Sequence, residues 1–320
     1  MLIPIAAVCG GLALLTYGAD RFIEGAASAA YRLGIPPLLV GLVVVGFATS
    51  APEMLVSAVA AVNGNPTLAI GNAIGSNIAN VGLVLGITAL VCPLVVRSNV
   101  LKREFPMMFA ALLIAAFVLW DRELTRTDGI GLLVGMLISI CLLAALGLRT
   151  SENDPMQAEV TQEIDGERTL TRSLLWLLVG LLLLLGGSKL LVDGAVDIAR
   201  YMGVSDVVIG LTIVAVGTSL PELAASIASA LKNEPDIALG NVIGSNMFNS
   251  LGVLSMPALI APTAFEAAVV ERDLPYMLII CAALFFLSWS NKQEGSVSRF
   301  SGGLLFTGFV AYQLLLFYGG

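Results

Sequence analysis

The stretch Gly46-Phe47-Ala48-Thr49-Ser50-Ala51-Pro52-Glu53, followed by Gly71-Asn72-Ala73-Ile74-Gly75-Ser76-Asn77-Ile78-Ala79-Asn80, decides how this chain is read, because it occurs twice. It returns as Ala215-Val216-Gly217-Thr218-Ser219-Leu220-Pro221-Glu222, followed by Gly240-Asn241-Val242-Ile243-Gly244-Ser245-Asn246-Met247-Phe248-Asn249. Every position is displaced from its mate by 169 residues (222 − 53 = 169; 249 − 80 = 169), so nothing has been inserted or lost between proline and final asparagine. Both copies lie within stretches apolar enough to cross a bilayer. A carboxylate at the bilayer centre costs roughly 2.5–3.5 kcal/mol even on the lenient insertion scale, so two at matched positions require a bound partner. The natural partner is a cation.

Composition agrees with a membrane setting. The 320 residues are 58% hydrophobic and 12% charged, with a mean hydropathy of +0.93, which marks an integral membrane protein. The first apolar segment, Leu2 to Tyr17, lacks a basic n-region and a small-residue cleavage signal, and is read as a retained span. The net charge of −7 argues against nucleic-acid binding. Histidine is absent, which removes the usual proton relay and the commonest transition-metal ligand. Cys9, Cys92, Cys141 and Cys281 show no C-x-x-C spacing and are read as inert thiols.

Apolar runs between charged or Pro/Gly punctuation give ten spans, at 2–19, 35–61, 67–91, 104–120, 128–149, 173–199, 204–231, 236–260, 273–290 and 300–318. The offset extends beyond the motifs: Gly34 matches Gly203, Gly41 and Leu42 match Gly210 and Leu211, Pro66 matches Pro235, and Arg103 matches Arg272. Residues 1–149 and 170–320 therefore read as two copies of a five-span unit, with the motifs at 46–80 and 215–249. The acidic segment 150–169 between them reads as a solvated hinge. Because five is odd, the second copy enters the membrane from the opposite side, an inverted repeat of the kind secondary transporters use. With the N-terminus outside, eleven Lys and Arg fall on the inner side and five on the outer, so both termini are expected outside and the linker in the cytoplasm.

Within a helix, Pro52 cannot donate to the Ala48 carbonyl, nor Pro221 to the Gly217 carbonyl, so each second span of the repeat is expected to break and free backbone oxygen. Thr49 and Ser50 lie one turn from Glu53 and share its face, and Ser76 and Asn80 are spaced likewise on the next span. The glycines at 71, 75, 240 and 244 let backbones approach closely. The ligand set is all oxygen, which suits hard cations such as Na⁺ and Ca²⁺ and not soft metals, and two carboxylates balance one Ca²⁺. Asn77 and Asn246 read equally as ligands or as interhelical glue. Ser57 and Ser226 read as packing residues, and Glu24 and Asp193 as interfacial.

The paired blocks resemble the two signature repeats of the sodium/calcium exchanger family, within the cation/calcium antiporters, in its prokaryotic members. The resemblance covers nearly the whole chain. It implies an all-α integral membrane protein of ten transmembrane helices in two inverted five-helix repeats. Broken helices 2, 3, 7 and 8 would form a midplane ion site, across which helices 1 and 6 slide. It implies Na⁺-driven Ca²⁺ antiport by alternating access in the prokaryotic plasma (inner) membrane. Ca²⁺ and Na⁺ would be transported ions rather than cofactors, with membrane lipid as surroundings and no obligate protein partner. By the same resemblance Glu53 and Glu222 share Ca²⁺, assisted by backbone oxygens at Thr49 and Thr218. Ser50, Ser76 and the Gly46 carbonyl line one flanking Na⁺ site, and Ser219, Ser245 and the Ala215 carbonyl line its mate, with Asn80 and Asn249 in the central layer. Some exchangers carry aspartate where this chain has Asn249, so the site here holds two carboxylates.

Three other readings compete. A Ca²⁺/H⁺ antiporter would titrate the same two glutamates. A passive cation channel would also use oxygens in broken helices, without needing paired half-sites. An intramembrane enzyme is disfavoured, because Ser50 and Ser219 have no His or nearby Lys as base.

Overall fold

The computed structural model describes residues 2–35, 39–97, 100–151, 169–202, 215–289 and 294–318. Gly203, Gly210 and Leu211, and nearly all of the acidic linker, lie outside the described residues. Among the described residues, ten helical segments follow one another: α1 Leu2–Leu33, α2 Val40–Val62, α3 Pro66–Val91, α4 at 100–118, α5 Arg126–Ser151, α6 Leu170–Tyr201, α7 in two pieces, Ala215–Thr218 and Leu220–Leu231, α8 Pro235–Ile260, α9 at 269–288 and α10 Arg299–Tyr318. Seven of them are long and apolar enough to cross a membrane. Of the rest, α4 and α9 begin on charged triplets, Lys102 to Glu104 and Glu271 to Asp273, and α7 is divided. This is an integral membrane protein.

Helix α1 runs well beyond residue 19, where the sequence reading ended it, because its charges find partners. Arg21 pairs with Glu24 at 2.8 Å and Asp20 with Lys232 at 2.7 Å. The Arg21 guanidinium also lies 5.0 and 4.9 Å from the ring centres of Tyr17 and Trp176.

Two short strand pairs tie the loops together. Strand β1 (Leu94–Arg97), after α3, pairs antiparallel with β4 (Glu294–Val297), after α9, while β2 (Glu123–Leu124), after α4, pairs with β3 (Thr263–Ala264), after α8. Six helices separate the first pair and four the second. Paired strands lie on one side of the membrane, so both intervals need an even number of crossings. One non-crossing helix in either interval would separate the partners.

Segment boundaries recur at the sequence offset: 66–79 with 235–248, 86–91 with 255–260, and 100–104 with 269–273. The core is formed by α3 and α8, whose apolar windows are 78% and 100% buried, against 22% in α1, α5 and α6. The outer helices present Leu55, Phe117, Leu182 and Ile279 to the surroundings, as lipid contact allows. Helices α1 and α6 run antiparallel against each other, locked by glycines at matched positions. A Cβ added at Gly11 would meet the Gly187 carbonyl at 2.7 Å, and one at Gly187 would meet the Leu15 nitrogen at 2.8 Å.

Candidate ion-binding site

Helices α2, α3, α7 and α8 carry the repeated motifs, and each departs from regular helix next to them. A π-helical turn, Val40–Val45, precedes Gly46 in α2. The π turns Asn80–Leu85 and Asn249–Val253 begin on the two final asparagines of the motifs. A π turn shifts the hydrogen-bond ladder by one residue and re-aims carbonyls, and such bulges are frequent at functional positions.

The two prolines act differently. Helix α7 stops at Thr218, passes through Ser219 at φ −88° and ψ 3°, and restarts at Leu220, so Glu222 sits in a first turn. The Gly217 carbonyl, which Pro221 cannot engage, accepts from Ser188 Oγ of α6 at 2.8 Å. Helix α2 instead stays helical through Pro52, with its distortion upstream in the π turn. The mate of Ser188 is Ala19, which has no hydroxyl to take up a released carbonyl. The break expected at both prolines is therefore an interruption at one and a π-helical detour before the other.

Most of the expected site residues are buried together. Thr49, Ser50, Glu53, Ser76, Asn80, Ser219, Glu222, Ser245 and Asn249 are all buried, as is Gly46, while Thr218 is half-buried. Ala215 opens the first piece of α7. Glu222 lies within electrostatic reach of Glu53. Among the described residues, ten buried side-chain atoms lack a hydrogen-bond partner, and eight of them fall in four pairs related by the repeat. The pairs are Oγ of Ser50 and Ser219, Oε2 of Glu53 and Glu222, Oδ1 of Asn77 and Asn246, and Nδ2 of Asn80 with Oδ1 of Asn249. Buried polar atoms are normally satisfied, so a symmetric set of orphans around two carboxylates is the signature of a site for ions.

The flanking groups mix the two copies. Ser245 Oγ of the second copy donates to the Gly46 carbonyl of the first at 3.4 Å. The cause is the glycine contact between α2 and α8, where an added Cβ at Gly46 would meet the Ser245 nitrogen at 3.1 Å.

Asn77 and Asn246 serve partly as glue. Asn77 Nδ2 donates to Ser250 Oγ at 2.9 Å and to Met277 Sδ at 3.3 Å, and Asn246 Nδ2 faces Met108 Sδ and Cys281 Sγ at 3.7 and 3.9 Å. Ser57 and Ser226 hold packing positions, and Glu24 and Asp193 sit in local ion pairs with Arg21 and Lys189. Two residues were missed. Asn72 Nδ2 donates to the Glu53 carbonyl and Ser57 Oγ at 3.2 and 3.0 Å, and Asn241 Nδ2 to the Glu222 carbonyl and Ser226 Oγ at 3.2 and 2.9 Å. Both belong to the quoted repeat at the fixed offset, which was the available signal.

The mates are unequally covered. Asn241 is 0% exposed while Asn72 is half-buried, and Gly240 and Gly244 are buried while Gly71 is exposed. A cleft of about 470 Å³ between α2, α6 and α7 reaches Pro52, Ser188, Gly217, Thr218 and Pro221. A second cleft, of about 320 Å³ between α1, α6 and α7, is lined by Leu12, Asp20, Leu191, Leu223 and Lys232 and touches none of the expected ligands. The first cleft thus brings the surrounding space up to Thr218 at the edge of the site.

Comparison with known proteins agrees with this geometry. The family model described as sodium/calcium exchanger protein matches residues 3–145 and 172–318. The CaxA protein of Alkalimonas amylolytica is 44% identical over 99% of each chain. The sodium/calcium exchanger MaX1 of Methanosarcina acetivorans is 30% identical over 96% of this chain and 97% of its own. A solved structure of the sodium-calcium exchanger NCX_Mj, soaked with zero Na⁺ and Ca²⁺, superposes with a TM-score of 0.84 at 32% identity, covering 97% of this chain and 98% of that one.

Proposed function

The chain belongs to the sodium/calcium exchanger family, and from that premise we propose that Glu53 and Glu222 hold Ca²⁺ or Na⁺ in turn, so that the protein exchanges one for the other across the membrane. The observation that carries this reading is the set of unpartnered polar atoms paired across the repeat, the oxygens of Ser50, Ser219, Glu53 and Glu222 among them. Ser50, Ser219, Asn80 and Asn249 supply the remaining oxygens, with backbone carbonyls at Gly46, Ala215, Thr49 and Thr218, and Ser76 and Ser245 complete the flanks.

Exchange rather than leak follows from charge. Two ionised glutamates alone in a low-dielectric site repel each other and are poorly solvated, so an empty site resists the change of access. One Ca²⁺ neutralises both, and Na⁺ ions can do so in sufficient number. Only a loaded site is cheap to carry across. Coupling therefore arises from the rule that one cation species must replace the other before the site turns.

The open cleft is assigned to the outer side. The excess of Lys and Arg on the opposite side supports this, with both termini outside, 150–169 in the cytoplasm, and the repeat units at 1–149 and 170–320. The test is uptake of radioactive calcium into proteoliposomes. Uptake that collapses when the outward Na⁺ gradient is removed supports the reading. Uptake that follows a pH gradient and ignores Na⁺ overturns it.

A further inference from the structure

We propose that Asn241 is a positioning residue that sets the strength of Na⁺ binding on the Gly46–Ser245 flank, by drawing the Thr49 hydroxyl proton away from the carbonyls beneath it. The proposal rests on reading the site as one for Na⁺ and Ca²⁺. Thr49 Oγ1 carries a single proton and has four acceptors in reach: the Val45 carbonyl at 3.0 Å, the Gly46 carbonyl at 3.4 Å, Asn241 Oδ1 at 3.0 Å and the Glu222 carboxylate, which the bound cation engages when the site is loaded. The orientation of the Asn241 amide is fixed by its other arm. The Glu222 carbonyl, 3.2 Å away, can only accept, so nitrogen must face it, and the same nitrogen reaches Ser226 Oγ at 2.9 Å. Oδ1 is thereby turned toward Thr49, in surroundings where Asn241 is 0% exposed. A buried amide oxygen in that position demands a donor, and Thr49 is the donor facing it.

The consequence lies one turn away. With its proton committed to Asn241, the Thr49 hydroxyl leaves the Val45 and Gly46 carbonyls each a lone pair beyond the helical ladder, and among the described residues the side-chain contact left to Gly46 is the long one to Ser245 Oγ at 3.4 Å. Lone pairs of that kind are what a hard cation uses. Without Oδ1, Thr49 turns back onto these carbonyls, in the ordinary manner of threonine within a helix, and competes with the ion. Asn241 thus couples the second repeat to the Na⁺ flank of the first without touching an ion.

The experiment measures half-saturating Na⁺ and Ca²⁺ for exchange in proteoliposomes, for wild type, Asn241→Leu, Asn241→Ala, Thr49→Val and the double variant Asn241→Leu/Thr49→Val, each checked for a monodisperse profile. Loss of one hydrogen-bond preference corresponds to roughly three- to tenfold. Asn241→Leu is expected to raise half-saturating Na⁺ by that factor and to change the Ca²⁺ value less. Adding Thr49→Val, which removes the competing proton, is expected to return Na⁺ binding to the level of Thr49→Val alone. Equal shifts for both ions, or no recovery in the double variant, overturn the proposal. If neither Asn241 variant folds, Ser226→Ala decides, since Ser226 Oγ anchors the Asn241 amide at 2.9 Å: a selective rise in half-saturating Na⁺ supports the proposal, and no shift or an equal shift for both ions overturns it. A wild type indifferent to Na⁺ would instead sink the exchange reading itself.

Discussion

At the scale of single residues, the function hangs on two carboxylates whose charge is matched to the cargo. Glu53→Gln and Glu222→Gln each leave one negative charge for a divalent ion, so each is expected to abolish Ca²⁺ exchange. The amide has nearly the shape of the carboxylate, so the fold should survive. Wild-type protein in detergent should melt at a higher temperature in Ca²⁺, by the stabilisation that ligand binding brings, ~2.7 kcal/mol at a hundred times the dissociation constant. Either variant should lose that rise while melting normally without Ca²⁺. Retained transport would refute the shared-ligand assignment. At Asn249, whose Oδ1 is buried and unpartnered, substitution by Asp adds a third carboxylate that must be neutralised by a proton or a further cation. Exchange by Asn249→Asp should therefore depend on pH more steeply than wild type, and an unchanged pH profile would place Asn249 away from the ions. The glutamates, serines and asparagines were legible because expensive polar residues in an apolar span advertise themselves twice at one offset. The Thr49–Asn241 bond was not, since it joins residues 192 apart whose meeting depends on how two inverted units dock.

At the scale of elements, the ten spans were legible from hydropathy, and their departures from regular helix were not. A π turn replaces an α turn without altering composition, and in an apolar helix no polar stripe records the slip in register. The interruption at Ser219 and the continuity through Pro52 likewise depend on a neighbour, Ser188, that the α2 side lacks. The glycine lock between α1 and α6 escaped notice because glycine is common in membrane helices. It yields a sharp test, since Gly187 and Gly186 are adjacent but face different surroundings. A Cβ at Gly187 would meet the Leu15 nitrogen at 2.8 Å and the Gly11 carbonyl at 3.0 Å, while one at Gly186 meets nothing within 4 Å. Backbone atoms cannot rotate away, so Gly187→Leu must part the helices, at a cost of about 1–3 kcal/mol or more. Its melting temperature should fall clearly, and that of Gly186→Ala should stay near wild type. Equal melting of the two would mean that α1 and α6 are not held by this contact.

At the scale of the whole molecule, inversion lets a site built from two similar halves open to one face at a time. An axis lying in the membrane plane exchanges the two faces, so the buried Asn241 has its mate, the half-buried Asn72, toward the opposite face. The molecule can close one mate and open the other, but a symmetric closure would trap the ions. Which face is open here depends on orientation, and the strand pairs offer the places to measure it. Ser296 in β4 and Glu123 in β2 are both exposed and lie on opposite sides if every intervening helix crosses. In a background with Cys9, Cys92, Cys141 and Cys281 replaced, a cysteine at Ser296 should resist a membrane-impermeant thiol reagent added to intact cells and react once the membrane is opened. A cysteine at Glu123 should react from outside at once. The reverse pattern would turn the protein over, and the cleft at Thr218 would then face the cytoplasm. Labelling of both from one side would break the crossing count on which the inverted repeat depends.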